Sequence, residues 1–343
     1  MSTVDSIFGD IPTSDVKAWN LVEHYFEPLK EFYLDETITE ICVNRYDRIQ
    51  VERKGRLQTV DARFPSERDL QEFIIQVGNR LNQPVDSDNP MLDARFPNGV
   101  RLSCTIPPVT PFGATMSMRC KPAKAFTMAE LVGLGSLTEE MADYIAGRVQ
   151  HRANMFVTGN TGAGKTALLR ACAGFIDPSE RVLTAEDTLE LGLDQFLPDC
   201  VAFEAPHRRF KQNLEPITLA SLIRKFLRYR PDRGWVGEIR DAAAADALFQ
   251  FIYTGHSGTA SSLHTNGPFQ TVPRLQYLLS SAGLISFDLA GQMILDALDL
   301  MIHCSRDPRF GRKVTHIVDV REGVIVPVFE YDIDAGIHRR VAD

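Results

Sequence analysis

Eight consecutive residues have the composition and spacing of a loop that binds a nucleotide's phosphates. The segment Gly159-Asn160-Thr161-Gly162-Ala163-Gly164-Lys165-Thr166 fits the pattern G-x-x-x-x-G-K-[ST]. Its glycines let the backbone curl so that several N–H groups point at a phosphate chain. We expect Lys165 to reach the β- and γ-phosphates and Thr166 to place its hydroxyl on a Mg²⁺ ion. The sequence therefore predicts a Mg²⁺-nucleotide site over Gly159–Ala167.

The flanks of this loop support the same interpretation. The apolar run Met155–Val157 precedes it, and the helix-forming run Ala167–Ala173 follows it. A phosphate loop needs this order of strand, loop and helix. A chance glycine-rich turn would not need both flanks, so we disfavour that alternative.

Two acidic stretches follow apolar runs further along the chain. Glu186 comes directly after the predicted strand Arg181–Ala185 and is a candidate for positioning the attacking water. Taken alone, an acid at this place is more often a solvated helix cap, because Asp and Glu are favoured at helix starts. Glu238 follows the short predicted strand Gly234–Gly237, where the carboxylate on the Mg²⁺ side of such sites is expected.

A third polar stretch, residues 254–266, contains His256 and His264 with small residues between them. These imidazoles are candidates for sensing or orienting the γ-phosphate, although a lone histidine is more often structural. Zinc is disfavoured, because neither a third ligand nor His-x-x-x-His spacing is nearby.

A local basic cluster lies between residues 206 and 240, within a protein of net charge −8. Its nine basic residues, 208, 209, 211, 224, 225, 228, 230, 233 and 240, face only three acids. The cluster suits nucleic acid, a nucleotide held by a neighbouring subunit, or an ordinary solvated surface. The lack of interleaved aromatic residues disfavours single-strand binding.

The chain's 343 residues suit two domains, with a composition typical of a soluble globular protein. We predict a flexible tail over 1–13, an α+β domain over 14–122, a linker or hinge over 123–130, and an α/β domain over 131–343. Helices near 14–33 and 66–81 are expected on an antiparallel sheet built from strands at 37–43, 48–53, 56–60, 91–96, 100–106 and 114–120. In the second domain, helices at 138–149, 218–230, 242–253, 271–280 and 286–298 alternate with strands at 154–158, 181–185, 234–237, 259–263, 300–304, 314–320 and 324–331. That alternation predicts a mainly parallel sheet with the phosphate loop at its carboxyl edge.

The six scattered cysteines are expected to be reduced thiols of a cytosolic protein. The N-terminal residues lack the features of a signal peptide. No stretch approaches 18 apolar residues, so any membrane association is expected to be peripheral and through a partner.

Together these motifs resemble the type II/type IV secretion ATPase superfamily of traffic ATPases. The order is phosphate loop, Glu186-Asp187, Arg230-Pro231-Asp232-Arg233 leading to Gly237-Glu238-Ile239-Arg240, then Thr254-Gly255-His256 to Leu263-His264-Thr265-Asn266. In the first domain, Asp93–Arg101, Ile106-Pro107-Pro108 and Ser117-Met118-Arg119 look like the family's nucleotide-facing segment. The likeness covers roughly residues 30 to 330. It looks closest to Flp/Tad-type pilus assembly ATPases, with the conjugation and type IV secretion ATPases next.

The resemblance implies a RecA-like C-terminal domain, a PAS-like N-terminal domain, and a homohexamer bound to an inner-membrane platform protein at the cytoplasmic side. ATP and Mg²⁺ would lie between the domains, and Arg101 and Arg119 would close over the phosphates. The family pattern makes Glu186 the base or water-positioner, Glu238 the Mg²⁺-side acid and His264 a γ-phosphate contact. Arg240 would act in its own subunit or across the interface. Hydrolysis would then rotate the domains about a hinge near Lys121–Phe126.

Two rival functions use the same core. A nucleic-acid translocase would show polynucleotide-stimulated hydrolysis with a steep dependence on salt. A nucleotide-gated scaffold would switch state with little turnover. The set Glu186, Glu238 and His264 argues against the scaffold, because a pure switch has little need for hydrolytic residues. No stable nucleic-acid partner is expected.

Overall fold

The structure is a computed structural model that describes residues 7–9, 16–53, 55–120, 126–205, 216–281, 283 and 285–342. The chain divides into two compact units, Met1–Lys124 and Ala125–Asp343. Most of the predicted hinge segment, residues 121–125, lies outside the described residues, as do Arg208, Arg209 and Lys211 of the basic cluster. None of the helices in the described ranges has the length and hydropathy needed to cross a lipid bilayer.

The first unit is an antiparallel sheet with two helices. Helix α1 spans Val16–Leu34 and α2 spans Glu67–Arg80. The strands are β1 (Ile38–Arg45), β2 (Arg48–Arg53), β3 (Arg56–Val60), β4 (Met91–Arg95), β5 (Arg101–Thr105) and β6 (Thr115–Arg119), in the order β3-β2-β1-β6-β5-β4. In the central strands buried and less buried residues alternate, so one face of the sheet packs in the core with both helices.

The prediction of a flexible tail over 1–13 is wrong for Ile7–Gly9. Ile7 and Phe8 are fully buried, and the Phe8 ring centroid lies 4.9 Å from that of Phe96 and 5.0 Å from that of Trp19. The backbone N–H of Asn98 donates to the carbonyl of Phe8 at 2.9 Å. The glycine and proline around this segment suggested a loop, but two large apolar side chains gain enough by burial to hold it.

The second unit is a mixed α/β fold whose nine-stranded sheet has the order β15-β14-β13-β12-β7-β11-β10-β8-β9. Its strands are β7 (Met155–Gly159), β8 (Val182–Glu186), β9 (Cys200–Glu204), β10 (Arg233–Val236), β11 (Ala260–Leu263), β12 (Leu300–Asp307), β13 (Gly311–Arg321), β14 (Val324–Asp332) and β15 (Ile337–Arg340). In this spatial order, the six strands from β12 through β7, β11, β10 and β8 to β9 pair in parallel. The strands β12, β13, β14 and β15 pair antiparallel. The largely parallel sheet is confirmed, and its parallel strands bring their carboxyl ends to one edge.

The helices of this unit are α3 (Met128–Gly133), α4 (Glu139–Gln150), α5 (Lys165–Ala173), α6 (Leu219–Phe226), α7 (Ala242–Tyr253), α8 (Thr271–Ser281) and α9 (Phe287–Ala297). Helix α3 falls partly within the predicted linker, because Thr127 and Glu130 form a capping box that starts it. Helix α6 ends at Phe226, four residues before the predicted end at Arg230. Arg230 has a φ of +50° and precedes Pro231, and neither feature suits a helix. Strands β9 and β15 were not predicted from the sequence.

An ion pair with a buried arginine lies at the start of β10. The Arg233 side chain at the start of β10 is 1% exposed and makes two hydrogen bonds, of 2.8 and 2.9 Å, to the carboxylate of Glu180. Its third donor reaches the carbonyl of Val149 at 2.7 Å. The predicted basic cluster is therefore wrong for Arg233, which contributes no surface charge.

Replacing Arg233 with methionine is expected to lower the free energy of unfolding by about 3 kcal/mol. The substitution leaves the Val149 carbonyl and part of the Glu180 carboxylate without their buried donors. Urea denaturation measures the change. Arg152→Met is the matched control, because Arg152 pairs with the same carboxylate at 2.8 Å but is 41% exposed. It should cost at most about 1 kcal/mol. Equal losses of unfolding free energy in the two variants would contradict the conclusion that the buried contacts of Arg233 stabilise the fold.

Candidate functional site

The phosphate loop connects β7, whose residues are all buried, to α5. Gly159, Gly162 and Gly164 have φ values of +146°, +72° and +99°, a backbone region that L side chains rarely adopt. A Cβ at Gly159 would also overlap the carbonyl oxygen of Cys304 on the neighbouring β12. The curl of the loop therefore depends on glycine at these positions.

A residue far away in the sequence holds the outside of the loop. Arg312, at the start of β13, donates from Nε to the carbonyl of Gly162 at 2.8 Å. This contact spans 150 residues and has no local motif, so sequence reasoning missed it. It gives the Gly162 carbonyl a charged donor and so helps to fix the conformation of the loop.

Lys165 lies in the curl of the loop and is 7% exposed. Its Nζ donates to the carbonyls of Gly159 at 3.2 Å and Asn160 at 3.3 Å, and lies 3.2 Å from Nδ1 of His264. Burial lowers the pKa of the Lys165 ammonium, and the nearby Glu238 carboxylate opposes that shift. The side chain is thus held at the place from which a phosphate-loop lysine contacts phosphate oxygens.

His264, Glu238 and Arg240 form a polar chain beside Lys165. Nε2 of His264 lies 3.1 Å from Oε1 of Glu238, and Arg240 donates to Oε2 of Glu238 at 3.0 Å. Burial, with the charge of Lys165 as the next cause, lowers the pKa of His264. A lowered pKa favours the neutral imidazole at pH 7. The Lys165 ammonium lies within 3.4 Å of both ring nitrogens, and Nε2 is the nitrogen that faces Glu238.

Thr166 faces a second acid that sequence reasoning did not single out. Its hydroxyl lies 3.4 Å from Oε2 of Glu190, which is exposed. Glu190 belongs to the same acidic stretch as Glu186, four residues later. Because Mg²⁺ prefers hydroxyl, carboxylate and phosphate oxygens, Thr166 with Glu238 or Glu190 fits such an ion bound together with a nucleotide.

The structure encloses Glu186, which the sequence made a candidate for positioning the attacking water. This side chain is 2% exposed, and its Oε2 accepts hydrogen bonds from the backbone N–H groups of Glu190 at 2.8 Å and Leu191 at 3.0 Å. Its Oε1 is buried and has no hydrogen-bond partner within the described part of the chain. A carboxyl group enclosed in this way organises the loop that carries Glu190 and is shielded from the water that attacks a phosphate.

Burial raises the pKa of Glu186 to about 7, and the two N–H donors only partly offset the shift. The folded protein therefore holds this proton between pH 4.5, the group's ordinary pKa, and about pH 7, where the unfolded chain has lost it. Consequently the contribution of Glu186 to stability falls as the pH rises through this window and levels off above it.

We expect Glu186→Gln to remove that dependence on pH. The amide oxygen still accepts from the two N–H groups, but the side chain no longer has to ionise inside the protein. The unfolding free energy of the variant should rise relative to wild type by roughly 1 kcal/mol per pH unit between pH 5 and 7, measured by urea denaturation across pH. A difference that is constant with pH would show that Glu186 titrates normally.

The remaining predicted residues divide between the two units. His256 stacks on Phe251 with ring centroids 4.1 Å apart, and its Nδ1 lies 3.1 Å from that residue's carbonyl oxygen, so it holds the end of α7. Of the two predicted histidines, only His264 contacts a phosphate-loop residue among the described contacts. Arg101 and Arg119 are paired neighbours on β5 and β6 of the first unit.

Comparisons with known proteins agree with this arrangement of motifs. A family model described as "Type II/IV secretion system protein" matches residues 23–323. A protein of Mycobacterium tuberculosis named for conjugal transfer is 30% identical over 307 residues, covering 87% of this chain and 86% of that protein. The conjugal transfer protein TrbB of Rhizobium radiobacter is 28% identical, covering 83% of this chain and 84% of its own length.

A solved structure has a similar fold. The X-ray structure of the Legionella pneumophila ATPase DotB superposes with a TM-score of 0.60 and 22% sequence identity. The match covers 92% of this chain and 84% of DotB. At this identity the likeness supports the fold alone.

Proposed function

Because this chain belongs to the type II/IV secretion system protein family and is an ATPase of that family, we propose that it is the Mg-ATP-driven motor of a secretion, conjugation or pilus assembly complex. Its second unit is RecA-like and hydrolyses ATP at the phosphate loop. The names of its relatives, which refer to conjugal transfer, support a transport role.

One observation carries the proposal. Lys165, Glu238 and His264 come from three separate stretches of the chain. Lys165 lies 3.2 Å from His264, and His264 lies 3.1 Å from Glu238, so the three side chains form a continuous polar chain. The carboxyl edge of the parallel sheet brings these stretches together, which is where such folds bind ligands. A loop that only bound a phosphate would not need its lysine to contact a histidine that in turn contacts an acid following another strand.

The residues divide the work of hydrolysis. The loop N–H groups and Lys165 bind the β- and γ-phosphates, and His264 contacts the γ-phosphate. Thr166 and Glu238 would hold Mg²⁺, which would supply positive charge against the negative charge that develops on the phosphate oxygens. Arg240 keeps the Glu238 carboxylate in place by donating to it at 3.0 Å. Asn160, Thr161, Ala163 and Ala167 complete the phosphate-binding segment.

We assign positioning of the attacking water to Glu190 and remove it from Glu186. Glu190 is exposed beside the Thr166 hydroxyl, so its carboxylate can accept a proton from a water near the phosphates. Glu186 supports it from below by binding the backbone N–H of Glu190. Glu186 lies at the buried end of β8, whereas Glu190 lies in the exposed turn that follows. This difference in burial gives the two acids their different roles.

Glu190→Gln is expected to lower the ATP turnover rate by about 100-fold, because the amide cannot accept the proton of the water. Glu186→Gln, the matched control, keeps the hydrogen bonds to Glu190 and Leu191 and should retain most of the turnover. Purified protein with Mg-ATP and a phosphate-release assay gives both rates. A larger loss in Glu186→Gln than in Glu190→Gln would reverse the assignment.

The first unit completes the motor in this proposal. It is a PAS-like domain whose Arg101 and Arg119 close over the γ-phosphate, where a guanidinium stabilises transferring charge. Their side-by-side position on β5 and β6 supports a joint role. The motor acts as a homohexamer on the cytoplasmic side of the inner membrane, held there by a platform protein, and ATP hydrolysis is coupled to rotation of its domains.

A further inference from the structure

A cavity of about 310 Å³ adjoins the phosphate loop within the second unit. Two loop residues, Asn160 and Thr161, form one wall, and His264 and its two successors form the next. Gln270 and Arg274, which bracket the start of α8, complete the lining. Lys165 and Thr166 do not line it, whereas Asn160, Thr161 and His264 are shared with the phosphate-binding segment, so the cavity adjoins the place of the nucleotide's phosphates.

The lining has the chemistry of an anion site. Its side chains are amides, hydroxyls, one imidazole and one guanidinium, and none is apolar or acidic. Several neutral donors and one cation suit a small oxyanion, because they can bind several of its oxygens at once. Its size leaves room for a phosphate ion together with part of its hydration shell.

Arg274 is the only cation among these lining residues. It is exposed on α8, and its guanidinium lies 5.6 Å from the centre of the Tyr277 ring. Within the described residues no carboxylate forms an ion pair with it. A guanidinium offers a planar set of donors that matches two phosphate oxygens at once.

His264 connects this cavity to the site of hydrolysis. The same imidazole that contacts Lys165 and Glu238 also lines the cavity. The loop behind it is held in place, because the backbone N–H of Asn266 donates to Oε1 of Gln270 at 3.2 Å and Thr265 donates to the carbonyl of Gly267 at 3.1 Å. A phosphate ion that leaves Lys165 on the side of His264 therefore enters this cavity, whose polar lining is already in place.

We propose that this cavity is the exit subsite for inorganic phosphate, with Arg274 as its principal ligand. The inference rests on the proposed ATPase function and adds an order of release: phosphate moves past His264 into the cavity while ADP stays on the loop. The step is a transfer of a bound ion and involves no covalent change beyond the hydrolysis itself.

Product inhibition tests the subsite. The rate of Mg-ATP hydrolysis is measured against added inorganic phosphate, and separately against added ADP, for wild type, Arg274→Gln and the control Arg228→Gln. Arg228 is also an exposed arginine of this unit but does not line the cavity. Loss of a charge-assisted contact should raise the inhibition constant for phosphate about 10-fold in Arg274→Gln alone. The constant for ADP should stay unchanged.

A second variant keeps the test independent of one substitution. Gln270→Glu puts a carboxylate into the cavity while still accepting from Asn266, and it should weaken phosphate inhibition in the same direction. Equal phosphate inhibition in wild type, Arg274→Gln and Gln270→Glu would overturn the subsite and leave the ATPase standing. So would a parallel rise in the ADP constant, since Arg274 would then belong to the nucleotide site. Absence of hydrolysis by wild type would overturn both proposals.

Discussion

Replacing Lys165 with alanine is expected to lower ATP hydrolysis by at least about 100-fold. The ammonium is the only cation in the curl of the loop in the described contacts, and it lies within 3.3 Å of two loop carbonyls and 3.2 Å of His264. Removing a preorganised donor from the place where charge develops on a phosphate costs about that much in rate. A coupled assay of Mg-ATP turnover at saturating ATP measures the loss.

Lys225→Ala is the control for this prediction. Lys225 is an exposed lysine of α6 in the same unit, so its substitution removes one positive charge outside the site. Its variant should turn over ATP at close to the wild-type rate. The unfolding midpoints of both variants should stay near that of wild type, which separates loss of catalysis from loss of fold. A Lys165→Ala protein that still hydrolyses ATP at a tenth of the wild-type rate would contradict the assignment of Lys165 to the hydrolytic site.

Gly159→Ala is expected to have the largest effect on stability, lowering the free energy of unfolding by at least about 3 kcal/mol. The new methyl group would overlap the carbonyl of Cys304 in the fully buried pairing of β7 with β12, and alanine is strained at φ +146°. The loop must then move away from the sheet, so nucleotide binding should weaken together with stability. Urea denaturation and titration with a fluorescent ATP analogue measure the two losses.

Gly147→Ala is the matched glycine control. Gly147 lies within α4, and a Cβ there would meet no atom within 4 Å. Since alanine is the better helix former, this variant should be more stable than wild type by up to about 1 kcal/mol. If Gly159→Ala were as stable as wild type, the close approach of the loop to β12 would be refuted.

The phosphate loop was predictable because its chemistry lies in one continuous segment. Glycines, lysine and threonine at fixed spacing between a strand and a helix leave few alternatives, and Gly159–Thr166 runs from the last residue of β7 into the first turn of α5. The positions of Glu238 and His264 beside the loop were also predictable, since each follows a strand of the parallel sheet. Strand ends of such a sheet converge on one edge, whatever the separation along the chain.

The choice between Glu186 and Glu190 was not available from the sequence. Both are acids that follow the same apolar run, and only the packing shows that Glu186 ends inside the protein while Glu190 emerges beside Thr166. Likewise, the loop contact of Arg312 and the burial of Arg233 depend on partners far away in the chain. Strand β9 was missed because all its residues are half-buried, which leaves no clear alternation of apolar and polar side chains.

The decisive measurement is Mg-ATPase turnover per subunit across protein concentration, with the mass of the assembly determined in the same samples. We expect turnover to rise as a six-fold assembly forms, and Arg119→Ala, in the first unit, to abolish it while leaving the assembly and the fold intact. A monomer with full turnover, or an assembly that hydrolyses no ATP at any concentration, would contradict the proposal that this chain is a ring-shaped motor.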